Sequence, residues 1–132
     1  MEIIDKLAWI HIKNKQILGA RSKGKDVYYI PGGKRKQGEP DKEALIREIK
    51  EELNIDLVLE SLKFINIFKA QAHGKPDGTI LKMTCYSGDF KGEVSPSSEI
   101  EEVAWLTHKD REKATPMCQL ILDWLKERDL ID

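Results

Sequence analysis

Between Pro31 and Ile55 the chain changes from a break to a helix in a way that few folds accommodate. Pro31 must end any strand that precedes it. Gly32 and Gly33 then permit backbone conformations closed to other residues and let the main chain approach a ligand closely. After a polar loop, Asp41 offers an N-cap, and Ala44, Leu45, Ile49 and Leu53 recur near helical spacing. The segment therefore reads as a glycine loop feeding a helix to about Leu53, one face of which is buried.

The other face carries the chemistry. Arg47, Glu48, Glu51 and Glu52 lie at i, i+1, i+4 and i+5, so Glu48 neighbours Glu51 and Glu52 on adjoining turns. Like charges at these spacings cost a helix roughly 0.2–0.5 kcal/mol per pair unless something compensates them. One reading is a solvated acidic face balanced by Lys42, Arg47 and Lys50. The other is a hard divalent cation, which prefers oxygen ligands and bridges carboxylates to phosphates. The adjacent glycines favour the second, because a main-chain carbonyl there could reach the metal.

These residues resemble the Nudix box, G-x5-E-x7-R-E-U-x-E-E-x-G-U with U a bulky aliphatic residue. Gly33 is followed after five residues by Glu39 and after seven more by Arg47-Glu48, with Ile49, Glu51, Glu52 and Ile55 in the remaining places. The one departure is Asn54 for glycine, and Asn is the usual substitute in a left-handed helix cap. The resemblance implies an α/β Nudix fold, a mixed β-sheet sandwiched between α-helices. It implies that Glu48, Glu51, Glu52 and the Gly32 carbonyl bind Mg²⁺ or Mn²⁺, with Arg47 orienting the glutamates. Gly33 and Glu39 would support the site from behind. A further acid is expected from a loop before a late strand; Glu99 stands there, with Glu101 and Glu102 as competitors. A glutamate free of full metal coordination would take a proton from water, with Glu52 ahead of Glu99.

The remaining sequence fits one domain over residues 1–132. Ile3 to Lys13 and Gln16 to Ser22 read as a hairpin across Asn14-Lys15, and Val27 to Ile30 as a short strand. Leu57 to Ala72 and Thr79 to Phe90 read as antiparallel strands joined through Lys75-Pro76-Asp77-Gly78. Leu81, Met83 and Cys85 alternate with Lys82 and Thr84, as where one sheet face is more solvated. Val103 to Leu106 forms a late strand. Thr115-Pro116 starts a helix whose Met117, Leu120, Ile121, Trp124 and Leu125 make an apolar stripe.

Charge and composition narrow the partners. A formal net charge of -1 gives no general attraction to polyanions, so stable nucleic-acid binding is not expected and phosphate recognition must be local. No apolar run spans a membrane, and the acidic N-terminus lacks a secretory signal, which points to the cytoplasm. Cys85 and Cys118 read as reduced core thiols. His11, His73 and His108 have no metal spacing. A homodimer stands open.

Around the substrate, Arg21 and Lys34 could place cations beside phosphate oxygens. Tyr28, Tyr29 and Phe68 could stack on a base, though core packing suits each of them as well. The resemblance narrows the nucleotide only by elimination. Gln71 stands where ADP-ribose-cleaving relatives carry proline, no tyrosine follows as in diadenosine-polyphosphate relatives, and Asp26 breaks the coenzyme A pattern begun by Arg21-Ser22. That leaves pyrophosphohydrolysis of a nucleoside triphosphate or related nucleotide, with a nucleotide-sugar hydrolase or a weakly catalytic nucleotide-sensing module as alternatives.

Overall fold

The computed structural model describes residues 2–72 and 74–132; His73 lies outside the described residues. A four-stranded mixed sheet has the order β4-β1-β7-β6, from β1 (Ile3–Trp9), β4 (Gly32–Lys34), β6 (Lys63–Gln71) and β7 (Ile80–Ser87). β1 runs parallel to β7 and antiparallel to β4, and β6 runs antiparallel to β7. A second sheet orders β2 (Ile12–Lys13), β3 (Gln16–Ser22) and β9 (Ile100–Leu106). A third pairs β5 (Asp56–Leu57) with β8 (Phe90–Lys91).

Alternation along β1 builds a layer on each side of the large sheet. Leu7 and Trp9 pack with Ala44, Leu45, Ile49 and Leu53 of helix α1 (Asp41–Leu53). Ala8 and Ile10 face the opposite way, toward Met117, Ile121 and Leu125 of helix α2 (Pro116–Glu127). The sheet is thus sandwiched between helices, as the box resemblance implies. Cys85 and Cys118 are free and buried in the second layer, and burial pushes both thiols up to about 12. Among the described residues no helix is long and apolar enough to cross a membrane.

Several local expectations change in the fold. The Ile3–Lys13 strand breaks after Trp9: β1 stays in the large sheet, while only Ile12 and Lys13 pair with β3 in the second sheet. Alternation specifies which face a residue buries, not which strand lies beside it, so a chain that changes sheets looks continuous in sequence. Val27 to Ile30 forms isolated bridges, Ala20 with Tyr29 and Tyr28 with Ala114, and the strand begins instead at Gly32. The long strand expected from Leu57 is divided into β5, a 3-10 turn at Leu59–Ser61, and β6. Thr84 and Tyr86 are buried because β7 is central and α1 covers that face. The late strand begins at Ile100, three residues early by its bounds.

The helices follow their local signals more closely. α1 ends where expected, with Asn54 left-handed (φ 57°, ψ 35°) and its amide donating to the Lys50 carbonyl. Its start differs: Pro40 is the N-cap, and the Asp41 carboxylate instead pairs with Arg35 and accepts from the Tyr86 hydroxyl. Tertiary partners have taken the oxygen that a cap would use. For α2, Thr115 accepts from the Cys118 amide at 3.3 Å, with Pro116 in the first turn. Met117, Ile121 and Leu125 are buried, whereas Leu120 is exposed and Trp124 lies under the Arg128 guanidinium, 3.9 Å from its ring centroid.

Candidate active site

The two glycines lie in β4, against β1, with the loop displaced to their C-terminal side. A Cβ on Gly32 would overlap the Leu7 carbonyl, and one on Gly33 would overlap the Glu48 carboxylate. Both positions are glycine because something else already fills the space. The Trp9 amide donates to the Pro31 carbonyl at 2.9 Å, so the neighbouring Ala8–Gly32 pair is one whose backbone polar groups point away from each other. The Gly32 amide accordingly turns outward and donates to Glu52 Oε1 at 3.0 Å. Its carbonyl shares that side of an edge strand.

Helix geometry separates the three box glutamates. Glu48 and Glu52, one turn apart, both line a cleft of about 480 Å³, together with Gly32, Gly33 and Lys34. Glu51 is offset around the helix; its side chain is half-exposed and touches Arg47 at 3.5 Å, outside the cleft lining. Glu52 is buried (5% exposed). Burial pushes its carboxyl up to about 8; the Gly32 amide opposes that, Glu48 and Glu99 push it further, and Lys6 pulls it down.

Arg47 gathers the surrounding groups. It grips both oxygens of Glu39 at 2.8 and 2.9 Å, reaches Glu48 at 2.9 Å, and donates to the Lys34 carbonyl at 3.1 Å. Its guanidinium holds the Glu39 carboxyl down at about 2, with help from the Lys36 amide. Glu39 does not line the cleft; it stands behind Arg47 and fixes it.

A second anchor comes from the loop before β9. The Ser97 amide donates to the Glu52 carbonyl at 2.9 Å, the Ser95 amide to Leu53, and the Lys23 amide to Glu99. Those bonds bring Glu99 into the cleft that Glu48 and Glu52 line. Glu101 and Glu102 go elsewhere: both pair with Arg21, and Glu102 also accepts from the Tyr28 hydroxyl at 2.6 Å. Arg21 is therefore held by those acids and the Lys25 carbonyl, away from the cleft lining, whereas Lys34 is part of it. Tyr29 lines the cleft with its hydroxyl on Ser22, while Phe68 belongs to the core and meets Trp124 edge-on.

Sequence reasoning overlooked two cleft cations, Lys6 on β1 and Lys75 on the β6–β7 hairpin. Only the strand register and the hairpin fold bring them there. Gln71 also lines the cleft and organises that hairpin: its amide nitrogen donates to the Ala72, Lys75 and Pro76 carbonyls, and its oxygen accepts from the Gly78 amide. His11 stacks on Trp9 and His108 meets Asp123 at 2.8 Å, neither in this cleft.

Among the described residues no group of three His, Cys, Asp or Glu side chains is close enough to hold a metal ion by itself. The donor chemistry nonetheless suits a hard divalent cation. Glu48, Glu52 and Glu99 face one space, one of them is buried with its charge suppressed, and an outward main-chain carbonyl adjoins them. A cation would offset the burial and, with it, the repulsion from Glu48 and Glu99 that raise Glu52.

Residues 7–125 match the model of the NUDIX domain. No curated protein matches the chain. Among solved structures, the E. coli ORF135 protein is similar at 23% identity and TM-score 0.75, covering 97% of this chain and 92% of that one. The MutT NUDIX hydrolase from Burkholderia pseudomallei is similar at 20% identity and TM-score 0.75, covering 93% and 98%. A bifunctional NMN adenylyltransferase/ADP ribose pyrophosphatase from Francisella tularensis, solved with AMP and a manganese ion, is similar at 22% identity and TM-score 0.68, covering 96% and 42%.

Proposed function

Since the chain belongs to the Nudix family, whose hydrolases cleave pyrophosphate bonds, we infer that its substrate is a nucleoside triphosphate or related nucleotide, cut to a monophosphate and pyrophosphate. The carrying observation is the meeting of Glu48, Glu52 and Glu99 in one cleft with Lys34 and the paired glycines. The reading takes residues 1–132 as one hydrolase domain.

Glu48, Glu51, Glu52 and the Gly32 carbonyl would hold Mg²⁺ or Mn²⁺. Such a cation supplies neutralisation of phosphate oxygens and easier ionisation of water. Arg47 keeps Glu48 in place and is itself kept in place by Glu39. Glu52 Oε1 is occupied by the Gly32 amide, which leaves Oε2 to take the proton of the attacking water. Glu99 is the second candidate for that proton. The water oxygen bonds to phosphorus, the bond from that phosphorus to the bridging oxygen breaks, and the bridging oxygen departs on the leaving phosphate. Lys34 binds phosphate oxygens beside the glycines. Arg21, committed to Glu101 and Glu102, acts by fixing the start of β9.

The test is to incubate the protein with Mg²⁺ and nucleoside triphosphates, nucleotide sugars, dinucleoside polyphosphates and coenzyme A, and to weigh the products. Monophosphate and pyrophosphate from a triphosphate, lost in Glu52→Gln, is the expected result. Nucleotide binding without any product would favour the sensing alternative, and sugar phosphates the nucleotide-sugar hydrolase.

A further inference from the structure

Lys6 and Lys34 are register partners on the antiparallel strands β1 and β4. The Trp9 amide bonded to the Pro31 carbonyl fixes the phase of this ladder, and Lys6–Lys34 falls on a pair without mutual backbone bonds, where side chains stand closest. Like charges directly opposite each other destabilise a sheet. Neither lysine has a salt-bridge partner among the described residues, although Asp5 and Arg35 close by are paired. Both line the cleft, and Lys75 reaches it from the far rim. Lys6 stands near enough to Glu52 to act on its charge.

The cleft therefore carries two sets of groups of opposite sign, the carboxylates of Glu48, Glu52 and Glu99 and the lysines Lys6, Lys34 and Lys75. A cation suits the first set, and the second needs an anion. Three lysines exceed what one cleaved bridge requires, and they are spread from β4 to the hairpin rim, so the anion is an extended one. Resting on the reaction class proposed above, we propose that Lys6 and Lys75 are further phosphate-binding residues which, with Lys34, select a substrate whose phosphate chain continues beyond the cleaved bridge, a nucleoside triphosphate over a nucleotide sugar. The latch made by Gln71 holds the hairpin that carries Lys75.

Calorimetric titration of the metal-free protein with inorganic tripolyphosphate reads the three lysines without any turnover. Lys6→Met is expected to weaken binding by about tenfold or more, the loss of a charged contact, while Lys6→Arg retains most of it. Lys75→Met, on an exposed hairpin, should weaken it as well and guards against a folding defect in the β1 variant. With Mg²⁺ present, Lys6→Met should raise KM for a nucleoside triphosphate more than for a nucleotide sugar. Unchanged tripolyphosphate affinity in both Met variants overturns the proposal, as does an equal KM change for the two substrates. Faster hydrolysis of tripolyphosphate itself than of nucleoside triphosphates would overturn the nucleotide assignment. Tripolyphosphate binding that is lost in the variants, in a protein that turns over no nucleotide, supports the lysine assignment and defeats the reaction proposed above.

Discussion

The Gly32 amide and the Glu52 carboxylate, twenty residues apart, meet at 3.0 Å in the interior of the site. The bond ties an edge strand to the last turn of the box helix. Because Ser97 holds the main-chain carbonyl of the same glutamate, Glu52 also fixes the loop that delivers Glu99. One residue thus sets the spacing of both carboxylate-bearing segments.

The two glycines should fail differently. Gly32→Ala forces a methyl into the Leu7 carbonyl, main chain against main chain, and is expected to cost about 1–3 kcal/mol in urea unfolding, the usual scale of overpacking. Gly33→Ala meets the Glu48 carboxylate, which can rotate. Its stability loss should be smaller and its loss of Mg²⁺-dependent turnover large, as read by steady-state kinetics.

Metal-free stability should depend on pH through Glu52. Its carboxyl titrates at about 8 in the fold and near the ordinary glutamate value when unfolded, so between those limits the unfolded chain holds fewer protons. The contribution of the protonated form to stability is complete at low pH and is lost as pH rises toward 8. Melting in EDTA should therefore fall by several degrees from pH 5 to pH 8. Glu52→Gln should flatten that slope, and a slope unaltered by the substitution would refute the assignment.

Arg47→Lys keeps the charge but loses the two-point grip on Glu39 and the link to Glu48. A loss of about 10–100-fold in apparent Mg²⁺ affinity is expected, in line with other residues that orient metal ligands, and a Mg²⁺ titration of the rate measures it. Glu39→Gln should follow in the same direction by a smaller factor.

Both cysteines are buried with thiols near 12, so almost no thiolate exists at pH 8. The native protein should resist iodoacetamide over hours, and mass spectrometry after denaturation should find both thiols modified. Cys118 lines the cleft, so any slow native labelling should fall there and be suppressed by tripolyphosphate.

What was legible in the sequence was local. The end of α1 followed from periodicity, and the left-handed Asn54 from the glycine that its place in the box calls for, neither of which needs a distant partner. The start of α1 misled, because Arg35 and Tyr86 claim the Asp41 oxygens. Ile3–Lys13 looked like one strand because alternation is indifferent to the change of sheet at Ile10. Within the site, Glu48 and Glu52 could be grouped by helical spacing, but which side of them faces the cleft depends on β4. The separation of Glu99 from Glu101 and Glu102 rests on Arg21, eighty residues earlier in the chain. Lys6 was invisible for the same reason: its meaning lies in its register partner.

Gln71 spends all its hydrogen bonds on the hairpin that it begins, and none on the helix that carries the glutamates. The exposed tip from Gly74 to Gly78 can consequently be exchanged without touching that helix. Exchanging its residues while keeping Gln71 and Gly78 should change which phosphate chains bind and leave the packing of α1 and β4 as it is.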